Sequence, residues 1–418
     1  MRERESESGL TARQSCDQNG KVLTAETQSP QRRMEQRIAN GLESLRERAQ
    51  MRTLDHPAGI NLCSNDYLGL ASDPRLKKAV AEAVAQAEAV GSTGSRLLSG
   101  NAREWERLET EFAAFAGTEA ALYFGSGYAA NIGLLSSILG PGDLVFSDAL
   151  NHASLIDGIR LSRATKVIYQ HGDIAFLEHA LREHAGATGA KVIVSESVFS
   201  MEGDIAPVDS LLRLARDYDA ELILDEAHAT GVIGQGGRGV AVQRDATREA
   251  LAIVHTCGKA LASAGAFVCC SEMLKQYLVN RARTFIFSTA MPPYFAGQIR
   301  AALELAICAD VERTHLRGIS DLLRSQLTNS WIGFGTSETQ IVPVLCGANE
   351  AALHVASALQ ESGFAVRAIR PPTVPEGTAR VRLSLTAKIT REDVMRLSEA
   401  IHGAFEAPAR RSAAITAG

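Results

Sequence analysis

Between residues 120 and 270, short runs rich in Val, Ile and Leu recur, each followed by a turn and then by a stretch with helical spacing. The runs are 121–124, 143–146, 166–169, 191–195, 221–224, 251–255 and 266–270. Most are apolar throughout rather than alternating, the pattern of strands covered on both faces. Helical spacing lies between them, as over 128–139 and 208–218. A strand–helix rhythm sustained over this length implies an α/β domain with a largely parallel sheet. At 418 residues the chain has room for that domain and a smaller one.

The flanks read differently. Residues 1–33 are polar, charged and aperiodic, and are expected to form a disordered tail. Residues 34–62 hold a charged, helix-compatible stretch at 36–51 and a short strand at 60–62. Asp73-Pro74 suits an N-cap and a first helical position. Leu76, Ala79, Val80, Ala83, Val84 and Ala87 then share one helical face. The large domain is expected over 63–295. A long helix over 296–317 opens a smaller C-terminal α+β domain, 296–407. It has helices at 351–362 and 390–405 and strands at 365–369 and 380–385. Thr390-x-x-Asp393 approximates a capping box. Residues 408–418 are expected to fray. No internal repeat points to a solenoid.

Composition excludes several classes. Apolar content is 45%, charged content 22% and net charge −5, so nothing in bulk electrostatics calls for nucleic acid or an acidic membrane. The N-terminus lacks the apolar stretch of a secretory signal. No run approaches the roughly 18 apolar residues of a membrane span. Seven cysteines are scattered without a CxxC pair or Cys/His spacing. No metal site is expected, and reduced thiols in the cytoplasm are the simplest reading.

In open α/β sheets ligands sit beyond the carboxyl ends of the strands. The run at 121–124 leads into Gly125-Ser126-Gly127-Tyr128, where a Gly-rich turn and a helix N-terminus suit a phosphate. Many ordinary strand–helix turns also carry glycine. The run at 221–224 delivers Asp225, with His228 three residues on. That is either a charged loop or an acid placed to keep a pyridinium nitrogen protonated. The run at 251–255 leads to Thr256-Cys257-Gly258-Lys259, followed by small and apolar residues. Lys259 is either exposed by the turn or desolvated for Schiff-base chemistry. His152, after another strand end, is either a helix cap or a ring stacked on a cofactor. In combination, a phosphate turn, an acid at a strand end and a lysine one strand later describe a pyridoxal-phosphate (PLP) site.

The chain resembles the α-oxoamine synthases, fold-type I PLP-dependent transferases, over about 42–405. The resemblance rests on SNDYLGL (64–70), GSTGSRLLSG (91–100), FGSGYAAN (124–131), DALNHAS (148–154), ESVFSMEGD (196–204), DEAHATGVIG (225–234), TCGKALASAGAF (256–267) and FSTAMPP (287–293). Such enzymes join an amino acid to an acyl thioester with loss of carbon dioxide. The resemblance implies that Lys259 carries the cofactor and removes the Cα proton. Asp225 would pair with the pyridinium nitrogen, His228 and Ser200 with the phenolic oxygen, and His152 would stack on the ring. Gly127, Tyr128 and Thr256 would hold the phosphate, with Thr289 supplied by the neighbouring subunit of a homodimer. Glu196 falls at a family active-site carboxylate. Asn65 and Arg370 would bind the amino-acid carboxylate, and Thr373 would line the acyl side. Arg52 is the best match to an acyl-binding arginine, with Arg46 and Arg48 as rivals.

Residues 369–380 are most similar to members that condense L-alanine with a pimeloyl thioester, on coenzyme A or an acyl carrier protein. Sister enzymes take glycine or serine with another acyl-CoA. A non-catalytic subunit of the same fold, or an α/β protein without PLP, are the readings from other classes; the former typically lacks the lysine.

Overall fold

The computed structural model describes residues 15–16, 22–23, 30–56 and 58–416, with the backbone alone for 15–16, 22–23 and 407–416. The chain divides into two units, 1–56 and 57–418. In the first, Ser15–Cys16 and Val22–Leu23 pair antiparallel, and a helix spans Pro30–Glu47. That helix starts and ends earlier than the expected 36–51. Proline is tolerated at a first helical position, and Ala49, at φ 52°, ends the helical run. Residues 30–33 are therefore helical rather than part of a tail. The rest of the expected tail, apart from the two short strands, lies outside the described residues.

The second unit is built on a seven-stranded sheet. Its strands are β1 (Ala120–Phe124), β2 (Leu144–Asp148), β3 (Thr165–Tyr169), β4 (Lys191–Glu196), β5 (Glu221–Asp225), β6 (Ala252–Thr256) and β7 (Ala266–Cys270). Their order is β1-β7-β6-β5-β4-β2-β3. All share one direction except β7, which runs antiparallel to both neighbours. The expected runs are all present, within two residues at either end.

Both faces of the sheet are covered, which is why the runs do not alternate. Tyr123, Phe146, Ile193, Leu224 and Phe267 face one core. Leu122, Val145, Val194, Ile223 and Val268 face the other. Each such side chain contributes about 1.5–3 kcal/mol on burial. The helix Pro74–Gln86 starts as read, with Asp73 capping it through the Arg75 amide at 2.8 Å.

The expected helix 296–317 is two helices, Tyr294–Ile307 and Asp310–Asn329. Arg313 explains the break. Its guanidinium donates to the carbonyls of Ala306 (2.5 Å) and Ile307 (3.0 Å), taking groups that a continuous helix would use itself. The expected strand 365–369 is also two pieces. Phe364–Ala365 pairs with Ile60–Asn61, and Ala368–Ile369 pairs with Ala379–Ser384. The latter also pairs with Ile341–Gly347, completing a three-stranded antiparallel sheet. Thr390 and Asp393 do form a capping box, each side chain on the other's amide at 3.0 Å. The last helix continues from Arg391 to Thr416, so 408–416 are helical where fraying was expected. Among the described residues no helix is long and apolar enough to cross a membrane.

The connection from β6 to β7 is a hairpin, closed by Cys257 donating to the Gly265 carbonyl at 2.9 Å. Gly265 has φ +88°, and a Cβ there would lie 2.2 Å from the Tyr123 hydroxyl. We expect Gly265→Ala to destabilise the fold by about 2–4 kcal/mol through backbone strain and overpacking. Urea denaturation checks this, read as a lower midpoint at unchanged slope.

Candidate active site

The parallel strands end side by side, so their last side chains converge. Glu196 ends β4, Asp225 ends β5 and Thr256 ends β6. Glu196 and Asp225 are direct register partners. The β6–β7 hairpin carries Lys259. The turn after β1 leads into the helix Gly127–Ile138, which Ser126 caps through the Ala129 amide. Together they enclose a cavity of about 200 Å3. Gly127, Tyr128, His152, Glu196, Asp225, His228, Thr256 and Lys259 all line it, as the sequence predicted for one site.

Lys259 Nζ lies 2.9 Å from His228 Nε2, and His228 Nδ1 lies 2.6 Å from the Tyr67 hydroxyl. Burial is the largest influence on the amine. It lowers the pKa to about 8 from 10.5, although Asp225 and Glu196 favour the charged form. His228 is pushed well below its ordinary value by burial, and further by the cations Lys259 and Arg382. It is therefore neutral. The neutral ring therefore has one N–H and one lone pair to share between the Tyr67 hydroxyl and the Lys259 amine. Tyr67 had no part in the sequence reading beyond its place in SNDYLGL.

Asp225 accepts from Asn131 Nδ2 at 2.7 Å and from the Ala227 amide at 2.9 Å. Asn131 Nδ2 also reaches Ser154 Oγ at 2.8 Å, and Ser154 Oγ lies 2.7 Å from His152 Nδ1. The two readings of His152 are compatible. Its Nδ1 caps the helix Ala153–Ser162, while the residue lines the cavity. Burial, and secondarily the Lys259 cation, lower its pKa.

Glu196 is buried, with Ser200 N donating to Oε2 at 3.2 Å and no partner on Oε1 among the described residues. Burial, then the adjacent Asp225, raise its pKa well above the usual carboxylate range. Ser200 itself sits in the following turn, and its carbonyl accepts from Arg382 Nε at 2.5 Å.

Arg382 is the second residue that sequence reasoning missed. It is buried on the strand Ala379–Ser384, and its Nη1 donates to Asn65 Oδ1 at 3.1 Å. No carboxylate among the described residues lies within ion-pair distance of it. The signal was there: Arg380 and Arg382 alternate in an otherwise apolar strand, which puts both on one face. Arg380 is taken by Glu202 at 2.9 Å.

The remaining expected residues lie elsewhere. Asn65 is reached through Tyr67, whose hydroxyl is 3.1 Å from Asn65 Oδ1. Arg370 is half-buried and Thr373 exposed, in the turn closed by Thr373 N on the Arg370 carbonyl at 3.1 Å. Neither lines the cavity. Thr289 lines a separate cavity of about 250 Å3 with Gly125 and Ser126. Arg52 belongs to the first unit, exposed beyond the end of its helix. Arg46 of that helix pairs with Glu43 at 2.9 Å.

Chemically, the cavity offers an amine that loses its proton more readily than an exposed lysine, a helix end whose Gly127 and Tyr128 amides have no acceptor among the described residues, and a carboxylate held ready for a basic nitrogen. Asn131 Oδ1 and Glu196 Oε1 are buried without partners among the described residues. These features fit a flat, basic, phosphorylated aldehyde such as PLP.

A family profile described as aminotransferase class I and II matches residues 57–401. A protein named 8-amino-7-oxononanoate synthase from Geobacter sulfurreducens is 46% identical over 380 residues, covering 87% of this chain and 96% of that protein. Among solved structures, a serine palmitoyltransferase of Sphingomonas wittichii superposes at TM-score 0.83 and 28% identity, over 91% of this chain and 99% of that one. An 8-amino-7-oxononanoate synthase from Francisella tularensis superposes at TM-score 0.73 and 28% identity, over 84% of this chain and 98% of that one.

A lysine with a pKa near 8 reacts through its uncharged form, which grows tenfold per pH unit below that value. We expect acetylation of Lys259 by acetic anhydride in cofactor-free protein to climb at that rate from pH 6 and level above about 8. Peptide mass spectrometry of the residue at each pH checks it, against exposed lysines that keep climbing.

Proposed function

We propose a reaction from one premise: this chain belongs to the aminotransferase class I and II family, and its cofactor is PLP. It is a PLP-dependent acyltransferase. The reaction we assign is decarboxylative condensation of L-alanine with a pimeloyl thioester, on coenzyme A or an acyl carrier protein. The products are 8-amino-7-oxononanoate, carbon dioxide and the free thiol, a step toward biotin. The observation that carries this reading is the meeting of Lys259, Asp225, His228 and His152 with the Gly127 helix end in one cavity.

When bound, the cofactor supplies an electron sink for charge developing at the amino-acid Cα. The protein's residues do the rest. Gly127 and Tyr128 amides, with the Thr256 hydroxyl, would hold the phosphate. Asp225, anchored by Asn131 and the Ala227 amide, would keep the ring nitrogen protonated. His152 would lie against the ring. Lys259 would carry the cofactor and, once displaced, hold and return the Cα proton. Its lowered pKa suits that exchange near neutral pH. His228 orients the amine from the far side of its ring, through Tyr67.

Arg382 is the residue best placed for the amino-acid carboxylate, with Asn65 beside it. It is a buried guanidinium with no acidic partner among the described residues, and a carboxylate would complete it. Arg370 and Thr373, in the neighbouring turn, fit the acyl side. The reading further takes the enzyme as a cytoplasmic homodimer in which Thr289 serves the neighbouring subunit's phosphate site.

Mass spectrometry after mixing the enzyme with PLP, L-alanine and pimeloyl-CoA is expected to show 8-amino-7-oxononanoate, and none with Lys259→Ala. Preference for glycine or serine with another acyl thioester would overturn the product assignment. We also expect Arg382→Lys to raise the KM for L-alanine by about tenfold to a hundredfold, the equivalent of roughly 1.5–3 kcal/mol for a hydrogen bond to a charged group. Steady-state kinetics at saturating thioester checks it.

A further inference from the structure

His171 stands outside the cavity, in the loop after β3, and none of the roles above uses it. Its Nδ1 lies 3.1 Å and 3.2 Å from the two carboxylate oxygens of Asp148, and its Nε2 lies 2.9 Å from Asp204 Oδ2. A neutral imidazole has one N–H and one lone pair, and an ionised carboxylate only accepts. With a carboxylate on each nitrogen, both nitrogens must donate. The ring is therefore an imidazolium clamped between two anions.

The two anions belong to different structures. Asp148 ends β2 and is almost fully buried, its second contacts being the amides of Leu150 and Gly172. Asp204 closes the turn after β4, where Phe199 N donates to its carbonyl at 3.0 Å. The edge of the His171 ring also meets Phe199, with centroids 4.3 Å apart. That turn is what Arg382 holds: Nε donates to the Ser200 carbonyl at 2.5 Å. On its other side the turn meets the C-terminal part, where Thr336 donates to Asp204 at 3.1 Å.

We propose that His171 is a positioning residue for the amino-acid carboxylate. By tying Asp204 to Asp148 it fixes the 199–204 turn, whose Ser200 carbonyl aims the Arg382 guanidinium. This rests on the reading of Arg382 as the carboxylate ligand. The titratable and charged groups facing His171 are Asp148, Asp204 and, farther off, Glu202, which Arg380 occupies.

The two carboxylates outweigh burial and raise the His171 pKa to about 10. The folded value exceeds the unfolded one. The clamp's contribution is complete below about pH 6.5 and declines above it, to be lost as pH passes through about 10.

The test uses cofactor-loaded His171→Gln, which keeps one amide donor but cannot bridge two carboxylates as a cation. Amino-acid affinity is read from the visible-spectrum titration with L-alanine, which needs no turnover. We expect the dissociation constant to rise tenfold or more, with the cofactor's absorbance in the absence of alanine unchanged and kcat within about threefold of wild type. The wild-type thermal midpoint should also fall between pH 7 and 10 more steeply than that of the variant. Should the variant fail to fold, Thr336→Val, which removes only one bond to Asp204, carries the test with an expected rise of at least threefold. A folded variant that binds alanine as wild type does overturns the role of His171. Failure of the reaction reading looks different: wild type itself then gives no 8-amino-7-oxononanoate. If instead Arg382→Lys leaves alanine affinity intact while His171→Gln weakens it, the route through Arg382 is overturned.

Discussion

Lys259 is buried, and a buried ammonium is disfavoured unless anions surround it. Two carboxylates are near enough to do so, but they are register neighbours at the ends of β4 and β5, and a second buried negative charge there is disfavoured in turn. Glu196 takes the neutral form, its pKa raised by burial and by Asp225. Asp225 keeps two N–H donors on its oxygens. His228 between amine and phenol stays neutral as well. The pocket thus holds its charges to a minimum, and that leaves the amine uncharged enough to react.

This balance draws on both sheets. Tyr67 sits before the helix Pro74–Gln86, His228 after β5, and Arg382 on the C-terminal sheet, yet the Tyr67 hydroxyl lies within hydrogen-bond reach of both others. Gln340, one residue before the strand Ile341–Gly347, donates to the His228 carbonyl at 2.9 Å. The three-stranded sheet and the residue before it therefore supply bonds to the His228 backbone and to the Tyr67 hydroxyl beside its ring.

The sheet was legible because its strands are buried on both faces, so their apolar runs are local and continuous. Asp225, Lys259 and the Gly127 turn were legible for a related reason: in this topology the carboxyl ends of the parallel strands, and the turns just beyond them, converge on one cavity. Tyr67, Asn131 and Ser154 were not. Their roles arise from pairings far apart in sequence, 161 residues for Tyr67 with His228 and 94 for Asn131 with Asp225. No local pattern encodes such a pairing. The helix break at Cys308-Ala309 escaped for another reason: a side chain, Arg313, takes the carbonyls there, and apolar periodicity does not register that. The split of 365–369 escaped because its two halves serve different sheets, a property of tertiary pairing alone.

The single reversed strand has a consequence for synthesis. β1 lies at the sheet edge and hydrogen-bonds only β7, whereas β2 to β6 pair among themselves. As the chain emerges, β1 has no strand to pair with until 266–270 have been made, and only the helices on either side of it in sequence can cover it. At ribosomal speeds that interval is on the order of ten seconds. The hairpin that ends the wait also carries Lys259, so sheet closure and assembly of the reactive pocket coincide in one late event.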